Sequence, residues 1–348
     1  MADTLLPVAN PVVGTGDSAR RRASLGVALI CVALLAAVPL AASALGDTFY
    51  VRVVTRMMIF AIMAISLDLV LGFGGMVCFG HAMFVGAAAY VVGIFVFHAS
   101  SGEPLTIAGV AFQGSTNALV IWPVAIATSA LLALVFGAIA LRTSGLYFIM
   151  ITLAFAQMLY FVAASASGYG GIDGLTLDKA PTLGPLDTGD RQQFYWVVLA
   201  ALAAAYLLCR RIVESRFGLV LRASRSNPTR LSAVGVSPYR YRLAAFVIAG
   251  ALAGLAGVLL ASSQSFVSPA DMSWSRSGEL IVMVVLGGMA TLYGPIFGAF
   301  FYLAAEFALG HLTEHWQLVM GPLVIVVVLF GKGGLAGLWS AVRRGETP

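Results

Sequence analysis

Apolar residues run along this chain in long stretches, and polar residues gather in short segments between them. A membrane-crossing helix takes about 20 consecutive apolar residues. Runs of that kind occupy 25–45, 57–72, 82–97, 118–141, 146–166, 194–209 and 243–261. Two shorter runs, 279–293 and 295–309, and a last one, 317–330, complete the series. The pattern predicts an all-α polytopic membrane protein with about ten transmembrane helices, or about eight if the short pair is re-entrant. The organisation expected is a polar tail over 1–22, a transmembrane domain over 23–336 and a second tail over 337–348.

Two places interrupt the apolar runs with glycine. Residues 72–80 hold four glycines in nine positions, and His81 follows them. Gly74 and Gly75 are expected either to let helices pack closely or to break a helix that lines a pathway. Gly287 and Gly288 interrupt the first short run of the second half in the same manner. Short, glycine-broken segments in corresponding halves are a mark of transport proteins built from two related halves. Within 146–166, Tyr147, Thr152 and Gln157 are polar. A Gln in a span needs a partner, so Gln157 serves either as a helix–helix contact or as pathway lining.

Charge then orients the chain. Residues 210–242 carry eight arginines between two nearly uncharged stretches. A polybasic segment between spans belongs on the cytoplasmic side. Arg20–Arg22 before the first run, and Lys332, Arg343 and Arg344 after the last, place both termini on that side as well. Arg52 and Arg56 fall on the other side and are the exception. The segments 98–117 and 168–193 are then external. Asn227 followed by Pro228 is a helix start: Asn caps free N–H groups, and Pro suits the first helical position. Gly235 suits the C-terminus, where its positive φ costs little. The spacing predicts a short helix over 228–234, preceded by another over 216–225. Such a capped helix reads as a docking surface, with a solvated loop against lipid headgroups as the plain alternative.

Composition narrows the chemistry. The chain is 60% hydrophobic and 10% charged, against about 25% charged in soluble domains. The net charge of +5 comes mainly from the arginine segment and the ends, and implies no nucleic acid. Three cysteines, Cys31, Cys78 and Cys209, sit in apolar surroundings without ligand spacing. No small-residue cleavage site follows the first apolar run, so no cleaved signal peptide is expected. Gly331-Lys332 lacks the spacing of a phosphate-binding loop, so ATP hydrolysis by that route is excluded. No catalytic set, metal site or cofactor is expected. His311 and His315, four apart around Glu314, read as interfacial polar residues rather than ligands. Asp68, Glu279 and Glu306 are the acids within the apolar runs, and only Glu306 suits a proton relay. An ion-coupled transporter using Glu306 is the alternative class.

Several ordered motifs then carry a resemblance. Residues 71–90, LGFGGMVCFGHAMFVGAAAY, resemble the LGYxGQxSxGHAxFxGxGAY stretch of the ABC importer permeases for branched-chain amino acids. Residues 141–157 resemble their LRxxGxYFAxxTLAFxE, 170–175 their TGGxDGL and 215–225 their SxxGRAxxAIR. Residues 244–259 and 286–299 resemble AFxxSxxxAGxAGxL and LGGxGTxxGPxxGA. Met76 stands where the family has Gln, Gln157 where it often has Glu, and 226–230 replaces an acidic run. The order of motifs and the long external loop resemble the LivM-like type of permease.

The resemblance implies an inner-membrane permease for branched-chain or similar small amino acids, with urea, amides or other amino acids as alternatives. It implies a paralogous permease partner, two ATP-binding subunits, an extracytoplasmic substrate-binding protein, and contact with membrane lipid. It implies that 210–242 holds the coupling helix against the ATPase, with Arg222, Arg225, Asn227, Pro228 and Gly235 as coupling residues. Gly74, Gly75, His81, Tyr147, Thr152, Gln157, Gly287 and Gly288 are the expected pathway residues.

Overall fold

The computed structural model describes residues 49–330 except 103, 108–109, 113, 178–180, 184–185, 188 and 313–314, and also positions 35–36, 39 and 334. The expected first span, 25–45, and both tails lie outside the described residues, apart from positions 35–36 and 39 of that span. The described chain is mostly helical. Among the described residues, six helices are long and apolar enough to cross a membrane.

The first described helix, α1 (Phe49–Asp68), continues as a π-helical turn over Leu69–Phe73. It is buried from Met57 onward. A helix that is apolar all round belongs in an interior, and α1 is the centre of the bundle. The charge pattern had suggested that this span starts at 57; it starts eight residues earlier. Arg52 and Arg56 are one turn apart on a single exposed face, so the helix carries both without burying them.

After the glycine stretch, α2 (Ala82–Ser101), α3 (Ala118–Ala140), α4 (Leu146–Ser165) and α5 (Arg191–Glu214) follow. The arginine segment forms α6 (Arg216–Ser226) and α7 (Pro228–Ala233). The chain returns through α8 (Pro238–Gln264), which starts five residues before the expected 243 and takes in Arg240 and Arg242. Burial separates the roles of these helices. In their most apolar windows α2 and α8 are each 67% buried, whereas α3 and α4 are 28% and 22%. The exposed Leu, Val, Ile and Met side chains of α3 and α4 make an outward apolar surface of the kind that a membrane setting requires to be covered.

Small residues let α8 sit against α2 and α3. A Cβ on Gly257 would meet the Val85 backbone, one on Gly254 would meet Ser129, and one on Gly250 would meet Ala133. Ser129 Oγ donates to the Phe84 carbonyl at 2.5 Å at this crossing. Close backbone approach through small residues is how apolar helices associate in lipid.

Short strands join the loops at the end of the bundle away from the arginines. β1 (Leu105–Ile107) pairs with β2 (Val110–Phe112), and β4 (Thr182–Leu183) with β5 (Leu186–Asp187). β3 (Leu175–Thr176) pairs antiparallel with β6 (Phe266–Val267), pinning the 168–193 loop to the exit of α8.

The remaining helices are α9 (Trp274–Gly287), α10 (Gly294–Leu312) and α11 (Trp316–Phe330). The expected run 279–293 is therefore displaced: α9 starts at Trp274, capped by Ser273, and stops at Gly287. Gly288 has φ 113° and Ala290 φ 60°, conformations that end a helix. Gly287, Gly294 and Gly298 bring the two helices into backbone contact. α10 then follows α1 along its whole length. Ala290, just before it, meets Asp68 at one end of α1, and Phe307 stacks near Phe49 at the other, ring centroids 5.6 Å apart.

Candidate functional site

The site is built where α6 meets the glycine break after α1. α6 is held by Ser215, whose Oγ accepts from Gly218 N–H, and its inner face is Gly218, Leu221 and Ser224. Asn227 ends α6 and opens α7, accepting from Arg230 N–H at 2.9 Å, and Gly235 follows α7 with φ 84°. The capped mini-helix is present as the Asn-Pro signal implied.

Arg225 points back into the bundle. Its Nη1 donates to the carbonyl of Gly72, and its aliphatic stem fills the space that a Cβ on Gly75 would need. The reason lies in the break itself. Helix ends leave carbonyls without intrahelical partners. Here Gly74 N–H donates to Leu69, Met76 N–H to Val70 and Gly75 N–H to Leu71. The next carbonyl along, Gly72, goes to Arg225. Gly75, with φ 68°, gives the turn that ends the helix.

Asp68 joins the second glycine break to the first. Its Oδ1 accepts from Ala290 N–H at 2.9 Å, while Oδ2 is buried without a protein partner. Gly72 has no room for a side chain because the Asp68 carboxylate and the Ala290 backbone occupy that space. The glycine break after α1 and the one after α9 are thus linked through Asp68, Gly72 and Ala290. Arg225 enters this joint from α6, and Asp68 closes it. A charged donor on an otherwise unpaired carbonyl makes a strong bond, and this one ties α6 to the first glycine break.

α6 is fastened to α8 too. Arg242 Nη2 donates to the Ser224 carbonyl at 2.5 Å, and the Phe217 and Tyr241 rings lie 5.5 Å apart. Tyr239 O–H donates to the Ala138 carbonyl at 2.9 Å, extending the tie to α3. Arg222 and Arg225 are both exposed, and what sets Arg225 apart is its bond to the Gly72 carbonyl.

The other expected pathway residues are dispersed. Thr152 is buried on Gly80, and its Oγ1 donates to the Ile149 carbonyl at 2.9 Å. His81 is fully buried beside it in the chain, Nε2 2.8 Å from Ser66 Oγ. These two stand at the far end of the break. Tyr147 is 73% exposed on α4 and Gln157 is half-buried; neither reaches the joint. Asp68, Gly72, Ala290 and Arg242 were not singled out as site residues by sequence. An acid closing an apolar run just before a glycine stretch was the available signal for Asp68.

Comparison with known proteins agrees with this architecture. The family model described as "Branched-chain amino acid transport system / permease component" matches residues 49–329. The LivM permease of Escherichia coli K12 is 26% identical over 82% of this chain and 69% of its own length. The probable LivM permease of Methanocaldococcus jannaschii is 24% identical over 78% and 86%. The LsrC autoinducer 2 import permease of Klebsiella pneumoniae is 33% identical, over 40% of this chain and 42% of its own. No solved structure matches significantly. A match across nearly all the described helices, glycine joint included, places the chain in the branched-chain amino acid transport system permease family.

Proposed function

We propose that this chain is one permease subunit of an ATP-driven importer in the inner membrane, moving branched-chain amino acids inward. Ten spans with both termini cytoplasmic complete its topology. A paralogous permease shares the path, two ATP-binding subunits dock on 210–242, and an extracytoplasmic binding protein delivers the cargo. The observation that carries this reading is the bond from Arg225 to Gly72, which ties a basic, capped helix outside the bundle to a broken helix inside it. A transporter driven by an external motor needs such a joint; rigid-body movement of the docking helix then opens or closes the break. Arg222 is free to meet the motor, and Arg225 passes the movement on.

Branched-chain amino acids are favoured over other cargo because the LivM relatives match along most of the chain, while the autoinducer 2 permease matches 40% of it. Ion coupling through Glu306 has less support, because the Arg56 guanidinium lies 3.4 Å from that carboxylate. The test is uptake of labelled leucine, isoleucine and valine by cells with and without the intact gene. ATP depletion should abolish the difference and a protonophore at constant ATP should not. Uptake that follows the protonophore instead sinks the ATP-driven reading.

A further inference from the structure

A cavity of ≈320 Å³ lies between α1 and α10 in the half of both helices away from the arginine joint. Val53 and Met57 of α1 and Leu303 and Phe307 of α10 give it apolar walls, and Arg56 and Glu306 bring opposite charges to it. The two are loosely engaged. Their nearest N and O atoms are 3.4 Å apart, where a charge-assisted bond measures about 2.7–2.9 Å. Both side chains keep contact with the opening, 44% and 26% exposed. A neighbouring arginine is differently placed. Arg276 stacks on the same Phe60 ring as Arg56 but has its own acids, Glu279 at 2.7 Å and Asp271 at 3.5 Å. The charged pair that faces the cavity is therefore Arg56 and Glu306, with the His311 ring also in its lining.

We propose that this cavity is a subsite for a free aliphatic α-amino acid, held as its zwitterion. The ligand carboxylate lies on the planar guanidinium of Arg56, which suits two-point carboxylate binding. The ammonium lies on Glu306, and the branched side chain lies against the four apolar residues. Entry of the zwitterion exchanges one loose ion pair for two close ones, so no charge is left unpaired in an apolar setting. The volume is at the small end of ligand pockets, which start at about 300 Å³, and suits a single amino acid rather than a peptide. Arg56 follows the start of α1 by seven residues, about 10 Å at 1.5 Å per residue. The subsite is thus in the half of the bundle remote from the motor, where delivered cargo enters first. Its role in transport rests on the permease reading above. An ethanolamine phospholipid also pairs an ammonium with an anion, but its headgroup stays at the bilayer surface, and the depth favours the free amino acid.

The test uses the full-length chain in nanodiscs made without ethanolamine lipid, with labelled L-leucine as probe. Saturable binding is expected, weakened at least tenfold by Arg56→Gln and by Glu306→Gln. Isoamylamine, which lacks the carboxylate, should lose affinity with Glu306→Gln and not with Arg56→Gln. Gly310→Leu guards against misfolding: a Cβ there meets no atom within 4 Å, so the variant fills the cavity with both charges kept, and it should abolish binding. Leucine binding that is absent in wild type, or unchanged in all three variants, overturns the proposal. So does native mass spectrometry of the chain from its own membrane showing ethanolamine lipid that leucine does not displace. Uptake in cells is measured in parallel. Normal uptake by the three variants rejects the subsite alone, whereas no uptake dependent on this chain rejects the permease reading.

Discussion

Asp68 and Ala290 are 222 positions apart in the chain and share a 2.9 Å hydrogen bond. That bond joins the two glycine breaks, and Arg225 reaches the same place from the arginine-bearing helix. The Ala290 conformation, φ 60°, is one that an L-residue adopts at a cost of about 1–2 kcal/mol, so the Asp68 carboxylate is what holds the loop there.

Removing the carboxylate should loosen the joint. Asp68→Ala leaves the part-buried Ala290 N–H without its acceptor, a loss of about 1 kcal/mol or more. Asp68→Asn keeps an acceptor oxygen and should lose less. Thermal unfolding of the detergent-solubilised chain, followed by fluorescence, checks the order wild type, Asn, Ala. Ala290→Gly relieves the backbone strain, and its melting temperature should equal or exceed wild type.

The crossing of α8 over α2 should tolerate no side chain at Gly257. A Cβ there meets the Val85 carbonyl and backbone, which cannot rotate aside. Gly257→Val overpacks the interface by about 1–3 kcal/mol, read as lower yield and melting temperature. Gly278→Ala, at a position with no atom within 4 Å of the added Cβ, should be neutral or slightly stabilising.

The cap on α7 should matter to coupling more than to folding. Asn227→Ala removes the acceptor for Arg230 N–H and costs about 1 kcal/mol of local helix stability. α7 buries none of its residues, so the global melting temperature should hardly move. Hydrogen exchange of residues 228–234 should rise, and ATP-driven uptake should fall several-fold. Unchanged exchange in that stretch contradicts a cap role for Asn227.

The sequence exposed those parts of the site that depend on neighbours in the chain. Asn227-Pro228 and Gly235 mark α7 because capping is local. The limits of α3 and α4 follow from where apolar runs meet Asn117 and Gly145. Contacts between distant segments could not be read that way. Arg56 looked like a loop residue because its partner, Glu306, is 250 positions away. Arg240 and Arg242 looked like part of the arginine loop, and they form the first turns of α8. Asp68 stood out as an acid in an apolar run, but nothing near it announced Ala290.

The central claim is that α6 presents Arg222 to a motor and Arg225 to the broken helix. The most direct measurement is mild extraction of tagged wild type, Arg222→Glu and Arg225→Gln from the native membrane, with mass spectrometry of co-purifying proteins and leucine uptake in the same strains. ATP-binding subunits should be recovered with wild type and with Arg225→Gln, and lost with Arg222→Glu. Uptake should fall at least tenfold in both variants. Recovery of no ATPase with wild type, together with leucine transport by the purified chain alone, contradicts the account.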